Sequence, residues 1–224
     1  MSRRVAVLRP EPGNATTCAR ARAIGFDVVA LPLFAIEALP WTPPDATDHD
    51  ALLLTSANTL RMGGSGLRAF RSLPVFAVGA ATGDAARTAG FDVMATGTRD
   101  AAALLDHAAG LGIARALHLG GAETTIRVGG PVGRSIAVYR SVPRVLAPDA
   151  LAVLGGSVAL LHSPRAAHQL GTLLDASGIA RATIAIATLS DAVAAVAGAG
   201  WASVAIAATP TDAALLAAAQ RLAN

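Results

Sequence analysis

Residues 51–58 read Ala-Leu-Leu-Leu-Thr-Ser-Ala-Asn, a continuous apolar run that ends in small polar residues. Apolar runs without alternation are typical of strands buried on both faces, as in parallel sheets covered by helices. Ser56 then suits the N-cap of a helix, because its hydroxyl can accept from one of the first backbone N–H groups. The stretch therefore predicts a strand, a turn and a helix, which is the repeating unit of an α/β fold.

The same pattern recurs along the chain. Short runs rich in Val, Ile and Leu lead into small-residue turns and alanine-rich segments. Together with Ala51–Leu54, the predicted strands are Arg4–Leu8, Asp27–Leu31, Val75–Val78, Ala116–Leu119, Val158–Leu161, Ile184–Ala187 and Val204–Ala207. Strands that alternate with helices in this way predict βαβ units and parallel sheets.

A weak internal similarity indicates two domains of one topology, since Leu52–Ser56 is echoed by Ala159–Ser163. Two proline-bearing segments, 34–45 and 139–149, interrupt the strand–helix pattern. If both pass between domains, the chain leaves the first domain early, builds the second and returns to finish the first. A hinged cleft between two such domains is a common place for a ligand.

Hydroxyl groups and glycines collect in the turns after the predicted strands, for example at Thr55-Ser56, Ser163 and Ser190. In an open parallel sheet, ligands bind at these carboxyl ends. Helix N-termini offer unpaired N–H groups and a partial positive charge, which suit anions. The set of turns predicts a polyanionic small molecule as ligand, although each turn by itself also fits ordinary helix capping.

Composition excludes several classes of function. All 18 basic residues are Arg, so the chain has no lysine for a Schiff base, a pyridoxal-phosphate anchor or a P-loop. The single cysteine, Cys18, excludes an intrachain disulfide and multi-cysteine zinc sites, and the five histidines lack metal-ligand spacing. Aromatic residues make up only 4% and no basic run occurs, which argues against nucleic-acid binding. Residues 8–13 do not form the glycine motif of a dinucleotide-binding enzyme.

The mean hydropathy of +0.51 raises the question of a membrane segment. The longest uncharged run lies between Asp191 and Asp212, but Gly198, Gly200 and Pro210 interrupt it, so it fits a helix, a turn and a strand better than a span. The apolar stretch near the N-terminus is too short for a signal peptide. The sequence therefore predicts a cytoplasmic protein without a membrane segment.

Taken in order, the segments of the chain resemble the uroporphyrinogen-III synthase family. None is diagnostic alone, but the ordered set over nearly the whole chain is fairly specific. The segments are Leu8-Arg9-Pro10, Gly25-Phe26, Leu31-Pro32-Leu33, Leu54–Asn58, Val75–Thr82, Gly90-Phe91, Val138-Tyr139-Arg140, Ser163-Pro164-Arg165, Ser190–Ala194, Gly200-Trp201 and Ala208–Thr211.

The resemblance implies two flavodoxin-like parallel-sheet α/β domains joined by a two-stranded linker, with the active site in the cleft between them. Residues 1–34 and 143–224 would form the first domain, residues 38–138 the inserted second domain, and residues 35–37 and 139–142 the linkers. The implied activity is that of a lyase, which dehydrates and cyclises hydroxymethylbilane to uroporphyrinogen III with inversion of ring D. The family uses no metal or organic cofactor. A cytoplasmic monomer is expected, with transient contact with the preceding enzyme of the pathway.

The resemblance also implies roles for particular residues. Tyr139, the only tyrosine, matches the family's tyrosine at the start of the return linker and is the candidate general acid, the alternative being a hinge residue that packs its ring. The expected substrate-binding residues are Arg9, Thr55, Ser56, Asn58, Gly79, Thr82, Gly120, Gly121, Ser163, Arg165 and Ser190. Trp201, His118 and His162 are expected in the core or behind the site.

The chain departs from the family at one strand end. Many relatives carry Arg-Gly where this sequence has Gly120-Gly121, and the stretch from Gly121 to Tyr139 is several residues short. Residues 128–133 are a poor helix by propensity, so a loop is expected in place of the usual crossover helix. The alternative is therefore a non-catalytic member of the same fold that binds an anionic ligand or a partner protein. A solute-binding protein with a hinged cleft also fits the architecture, but it would need an export signal.

Overall fold

The computed structural model describes residues 4–97 and 101–223. Within them, the strands are β1 Val5–Val7, β2 Val28–Ala30, β3 Phe34–Ala38, β4 Leu52–Leu54, β5 Val75–Val78, β6 Val93–Gly97, β7 Ala116–Gly121, β8 Val132–Pro143, β9 Val158–Leu161, β10 Ala185–Thr188 and β11 Ser203–Ile206. The α-helices are α1 Gly13–Ala23, α2 Ala57–Met62, α3 Ala80–Thr88, α4 Ala101–Gly110, α5 Pro148–Ala152, α6 Pro164–Ser177, α7 Asp191–Ala197 and α8 Asp212–Ala223. Short 3-10 helices lie at Ala46–Asp48, Gly64–Phe70 and Arg181–Thr183.

The chain divides into two compact units. The first unit contains the described residues up to Ala35 and from Pro143 onward, and the second contains Ile36–Val142. Each unit is built on its own sheet, so mixed α/β architecture with parallel sheets, as predicted from the sequence, is confirmed.

The sheet of the first unit has the order β11-β10-β9-β1-β2, and all neighbouring strands are parallel. Counted along the chain, this is the 2-1-3-4-5 order of flavodoxin-like folds, in which the strand order reverses between β1 and β9. The continuous apolar run of β1 is explained by burial on both faces. Val5 and Val7 pack in one core cluster, and Ala6 and Leu8 pack in the cluster on the opposite face.

The sheet of the second unit has the order β3-β8-β7-β4-β5-β6. The strands from β4 to β8 pair in parallel. In contrast, β3 runs antiparallel to β8, since Leu39 N–H donates to Val138 O while Arg140 pairs with Glu37 at 2.9 Å. The parallel part of this sheet starts with β4 and reverses its strand order between β4 and β7, which is where α/β sheets bind ligands.

A loop connects the parallel strands β7 and β8, as expected from the glycine-rich sequence. Residues 122–131 contain no helix, and Gly129 and Gly130 have positive φ angles in a tight turn before β8. Ile126 of this loop packs against the same face of the sheet as Leu53 and Phe76. The loop therefore covers, with one apolar side chain, the face on which a crossover helix would ordinarily lie.

All eight predicted strands are present. The list of predicted strands was nevertheless incomplete, because it lacked β6 and the first part of β8, and it treated the region of β3 only as a linker. Trp201 is buried, as predicted. Among the helices that the structure describes, none combines the length and the apolar character needed to cross a membrane.

Candidate active site

A cavity of about 390 Å³ lies at the carboxyl ends of β4, β5 and β7 in the second unit. It coincides with the point at which the strand order of this sheet reverses, between β4 and β7. The residues that line it are Ile36, Thr55, Asn58, Val78, Ala101, Gly121, Glu123, Thr124, Thr125, Ile126, Tyr139 and Ser141. Four predicted site residues therefore meet in one cavity: Thr55, Asn58, Gly121 and Tyr139.

The turn after β4 separates two roles. Ser56 caps helix α2, because its hydroxyl accepts from Asn58 N–H at 3.1 Å. Thr55, one residue earlier, faces the cavity, and so does Asn58 on the first turn of the helix. The amide oxygen of Asn58 accepts from Arg61 Nη1 at 3.1 Å, which leaves the amide NH₂ as the group that Asn58 offers to a ligand.

Tyr139 packs against Gly121, and the fit depends on the absence of a side chain there. A Cβ at Gly121 would lie 2.8 Å from Tyr139 Cε2 and 3.1 Å from the phenolic oxygen. Gly120, the preceding residue, has a similar neighbour, since a Cβ there would lie 2.6 Å from the His118 imidazole. The two glycines therefore give room to two rings, one at the cavity wall and one below it.

His118 is fully buried beneath the cavity. Its Nε2 lies 3.2 Å from Thr55 Oγ1, and its Nδ1 lies 2.7 Å from Ser135 Oγ. Burial lowers the pKa of His118 to about 4, so the imidazole is neutral at neutral pH. The expectation that His118 lies in the core is confirmed, and the ring also supports a cavity residue.

Two further predicted residues lie at the end of β5, outside the cavity lining. Gly79 has φ +81° and precedes α3, a conformation that favours glycine. Thr82 is buried on α3, with its N–H bonded to Gly79 O. From this strand end, Val78 is the residue that reaches the cavity.

The substrate-binding residues expected from the sequence did not include the part of the cavity formed by the crossover loop. Glu123, Thr124 and Thr125 line it, and the Glu123 carboxylate accepts from Ser141 N–H at 3.4 Å. The available signal was two hydroxyl residues and an acid directly after a buried strand. Which of these side chains face the cavity depends on the path of the loop, and residue types alone do not show that path.

In the first unit, polar residues cluster where its own strand order reverses, between β1 and β9. Asp212, at the start of α8, accepts from Thr17 Oγ1 at 2.9 Å, from Arg20 Nη1 at 3.0 Å and from His162 Nε2 at 3.0 Å. Arg9 Nη1 is 3.8 Å from the same carboxylate. Burial alone would raise the pKa of Asp212, but the hydrogen bonds from His162, Arg20 and Thr17 outweigh it and hold the pKa well below its usual range.

This cluster fixes the predicted residue Arg9 at the strand end while leaving its side chain about one-third exposed. The N–H groups of Arg9 that do not face Asp212 or Thr17 can bind an anion. His162 is nearly buried and acts as a donor to Asp212, in agreement with its expected place behind the site. Arg20 and Thr17 were not singled out from the sequence, and their contact with Asp212 was not predicted, because α1 and α8 are far apart in the chain.

The remaining predicted residues of the first unit lie at helix starts. Ser163 caps α6 by accepting from Ala166 N–H at 3.2 Å, and Arg165, in the first turn, has its guanidinium 4.5 Å from the centre of the Phe34 ring. Ser190 occupies the N-cap position of α7 without a side-chain capping bond. Across residues 4–97 and 101–223, no group of three His, Cys, Asp or Glu residues could hold a metal ion.

Comparison with models of protein families matches residues 16–217 to the family described as uroporphyrinogen-III synthase HemD. Among solved structures, the uroporphyrinogen-III synthetase of Helicobacter pylori is 14% identical, with 98% of this chain and 99% of that chain covered and a TM-score of 0.66. A mutant uroporphyrinogen III synthase from Thermus thermophilus is 16% identical, with 98% of each chain covered and a TM-score of 0.55. These identities show a shared fold, whereas the family match extends over most of the sequence. A comparison with curated protein sequences gave no match.

Proposed function

We propose, because the chain belongs to the uroporphyrinogen-III synthase family, that it converts hydroxymethylbilane to uroporphyrinogen III. The reaction removes water, closes the ring and inverts ring D. The observation that carries the proposal is the family match together with a cavity that joins Tyr139 to Thr55 and Asn58 where the strand order reverses. In parallel α/β sheets this is the usual place for a ligand.

The cavity offers chiefly uncharged hydrogen-bond donors. Hydroxyls come from Thr55, Thr124, Thr125 and Tyr139, and an amide comes from Asn58. The substrate carries eight carboxylates, so several dispersed donors suit it better than one strong clamp. Among the described residues the lining contains no arginine, so cationic contacts to the substrate would come from outside it.

We infer that four residues of the first unit also bind carboxylates of the substrate, two through guanidinium groups and two at helix starts. Arg9 and Arg165 would pair with carboxylates through their guanidinium groups. Ser163 and Ser190 lie at helix N-termini, where backbone N–H groups and the helix dipole favour an anion.

The reaction requires the protein to orient the bilane and to supply one proton to the leaving hydroxyl group. The C–O bond of the hydroxymethyl group breaks, and the leaving hydroxide takes up a proton to become water. The pyrrole system stabilises the resulting azafulvene, which the substituted carbon of ring D attacks to give the spiro intermediate. The bond from this carbon to its original methylene bridge then breaks, which regenerates an azafulvene on the neighbouring ring. The free α-carbon of ring D attacks that azafulvene, so that the macrocycle closes with ring D inverted. The α-carbon then loses its proton as ring D regains aromaticity, and this proton balances the one taken up by the leaving hydroxide.

Because the attack is intramolecular, the main task is to hold the bilane folded, an effect worth up to roughly 7–11 kcal/mol. The electrophile is made and stabilised by the substrate itself, so we infer that no cofactor takes part. We also infer that the protein acts in the cytoplasm as a monomer.

Tyr139 is the proposed general acid for the leaving hydroxyl. Its ring lies in the cavity wall and is positioned by Gly121. A phenolic O–H group is a proton donor, and general acid catalysis contributes a factor of about 10²–10⁴. We expect Tyr139→Phe to lower kcat by about that factor while the urea midpoint stays near that of the parent chain.

The test uses freshly generated hydroxymethylbilane and separates the product isomers after oxidation. Formation of the type III isomer above the spontaneous background supports the proposal. If only the type I isomer forms, as in uncatalysed ring closure, the enzymatic function is wrong. Binding of uroporphyrinogen without turnover would instead favour the non-catalytic alternative. Tyr139→Phe with unchanged turnover would remove Tyr139 from the mechanism.

A further inference from the structure

We propose that His118 is a positioning residue, which donates from Nε2 to the Thr55 hydroxyl and thereby directs the Thr55 O–H into the cavity towards a carboxylate of the ligand. The proposal deepens the proposed function and rests on it for the identity of the ligand. It assigns a role to a buried side chain that does not itself touch the cavity.

Strand register places the three partners side by side on one face of the sheet. His118 on β7 is level with Leu53 on β4 and with Ser135 on β8. Thr55 follows two residues after Leu53, on the same face, because side chains alternate along a strand. The imidazole therefore bridges from β8 to the end of β4.

The two distances favour a proton on Nε2 over one on Nδ1. Hydroxyl donors lie at about 2.5–3.0 Å from an oxygen acceptor, whereas N–H donors lie at about 2.7–3.2 Å. The 3.2 Å separation between His118 Nε2 and Thr55 Oγ1 lies at the upper end of the range for an N–H donor and is long for a hydroxyl donor, so we assign the proton to Nε2. A neutral imidazole has one donor and one acceptor, so Nδ1 must accept from Ser135 O–H, which agrees with the 2.7 Å distance there.

The neutral state is enforced by the surroundings of the ring. His118 has no exposed surface, and its burial lowers the pKa to about 4. The space above the ring is available only because residue 120 is glycine, since a Cβ at Gly120 would lie 2.6 Å from both Cε1 and Nε2. The imidazole is thus fixed in place as well as in protonation state.

The protonation state of His118 determines which way the Thr55 hydroxyl donates. The Thr55 oxygen accepts from His118, and among the described residues it has no other hydrogen-bond partner. The Thr55 proton is then free to point into the cavity, where it is a donor for a carboxylate oxygen. In the other tautomer Thr55 would donate to His118 and would present only lone pairs, which repel a carboxylate.

The tautomer can be measured without turnover. In a ¹⁵N–¹H correlation spectrum of the full chain labelled at histidine, the ring nitrogen shifts show which nitrogen of His118 is protonated, with His118→Gln used for assignment. We expect the Nε2–H form in the parent chain. In Ser135→Ala, Nδ1 loses its donor, and we expect the Nδ1–H form to become populated. A parent chain in the Nδ1–H form would overturn the proposal, whether or not the protein is active.

Kinetics test the effect on the ligand. Thr55→Val should raise KM for hydroxymethylbilane by about tenfold or more, because a hydrogen bond to a charged group is lost. Ser135→Ala should raise KM in the same direction with a smaller change in kcat, and should add little to Thr55→Val in the double variant. Thr88→Val, at an exposed position of α3, is the matched control and should leave KM unchanged.

Full additivity of Ser135→Ala and Thr55→Val would show that Ser135 does not act through Thr55, and would overturn the proposal. An unchanged KM in Thr55→Val would overturn it as well. If the parent chain makes no type III product, the proposed function fails on its own, and the binding of uroporphyrinogen replaces KM in the same comparison. Circular dichroism of each variant identifies any loss caused by misfolding. The tautomer itself is read from the spectrum of the parent chain, and His118→Gln serves only to assign the His118 signals.

Discussion

At the scale of single residues, Gly121 shows how a position without a side chain can shape a site. A Cβ there would lie 2.8 Å from the Tyr139 ring, closer than real side chains approach. Overpacking of this kind costs typically about 1–3 kcal/mol. We therefore expect Gly121→Ala to displace Tyr139, lower the free energy of unfolding by about that amount, and reduce turnover.

Gly110 provides the matched control, since a Cβ added to this residue at the end of α4 would meet nothing within 4 Å. Gly110→Ala should be neutral or slightly stabilising, because alanine restricts the unfolded chain. Both variants are compared by urea unfolding and by steady-state turnover. Equal behaviour of the two would show that Tyr139 does not depend on the space at residue 121.

His118 predicts a pH dependence of stability. Its pKa is about 4 in the folded chain and about 6.5 in the unfolded chain, so between these values the unfolded state binds a proton that the folded state does not. The contribution of His118 is therefore complete above about pH 6.5 and falls as the pH is lowered to about 4. The difference amounts to about 3 kcal/mol at most.

The measurement is the free energy of urea unfolding at several pH values between 4 and 7. In His118→Gln, the decrease towards acidic pH should be smaller than in the parent chain, whatever the absolute stability of the variant. His168→Gln, at an exposed histidine of α6, should keep the parent slope. Parallel pH profiles of His118→Gln and the parent chain would contradict the assigned burial effect.

At the scale of elements, two helix starts that look alike in sequence differ in structure. The Ser163 hydroxyl accepts from Ala166 N–H, whereas the Ser190 hydroxyl makes no capping bond. Loss of an N-cap costs about 1 kcal/mol. We expect Ser163→Ala to destabilise the chain by about that amount, and Ser190→Ala to change stability by much less.

If Ser190 binds the substrate, its removal should instead raise KM. Thermal unfolding and steady-state kinetics of the two alanine variants separate capping from binding. A stability loss in Ser190→Ala as large as that in Ser163→Ala would mean that its hydroxyl caps the helix in solution.

The central strands could be predicted from the sequence because burial on both faces imposes continuous apolar runs, as in Leu52–Leu54 and Val158–Leu161. The outer strand β6 gives a weaker signal, since most of its residues are half-buried and the sequence is Val-Met-Ala-Thr-Gly. The first part of β8 follows a glycine turn and carries exposed Gly133 and Arg134, so it did not match the pattern of a buried strand.

Site residues could be predicted where a neighbouring strand places them, but not where the path of a loop or the packing of distant elements does. Thr55 and Asn58 were predictable because they directly follow a central strand and begin a helix. Thr124 and Thr125 were not, because their place at the cavity depends on the path of residues 122–131. Asp212 was missed as a partner of Thr17 and His162, since such contacts depend on how α1, α8 and β9 pack in three dimensions.

At the scale of the whole molecule, each unit has its own core and its own fluorescent reporter. Trp201 lies in a core cluster of the first unit, with Nε1 donating to Ala197 O at 3.2 Å. Trp41 lies in the second unit, where it stacks on Phe70 with the ring centres 6.2 Å apart. No other tryptophan occurs in the chain, so Trp41→Phe and Trp201→Phe each leave a single reporter. The stability of each unit can therefore be followed separately in the intact chain.

Trp201 fluorescence can report how Asp212 affects the stability of the first unit at acidic pH. The pKa of Asp212 is held below the usual range in the folded chain, so its charged form contributes stability above the unfolded pKa of about 4, and this is lost as the pH falls further. Asp212→Asn should lower the stability of the first unit at pH 7 by about 1–3 kcal/mol, because bonds to a charged acceptor are weakened. It should also make the Trp201 signal less dependent on pH below 4.

The matched control is Asp27→Asn. In the parent chain, the Asp27 carboxylate pairs with Arg4 at 2.8 Å but is largely exposed. An exposed pair is worth about 0–1 kcal/mol, so this variant should resemble the parent chain. The Trp41 transition should not respond to either substitution if the units unfold independently. Equal shifts of the Trp41 and Trp201 transitions in Asp212→Asn would show that they unfold together, and an unshifted Trp201 transition would contradict the stabilising role of the Asp212 cluster.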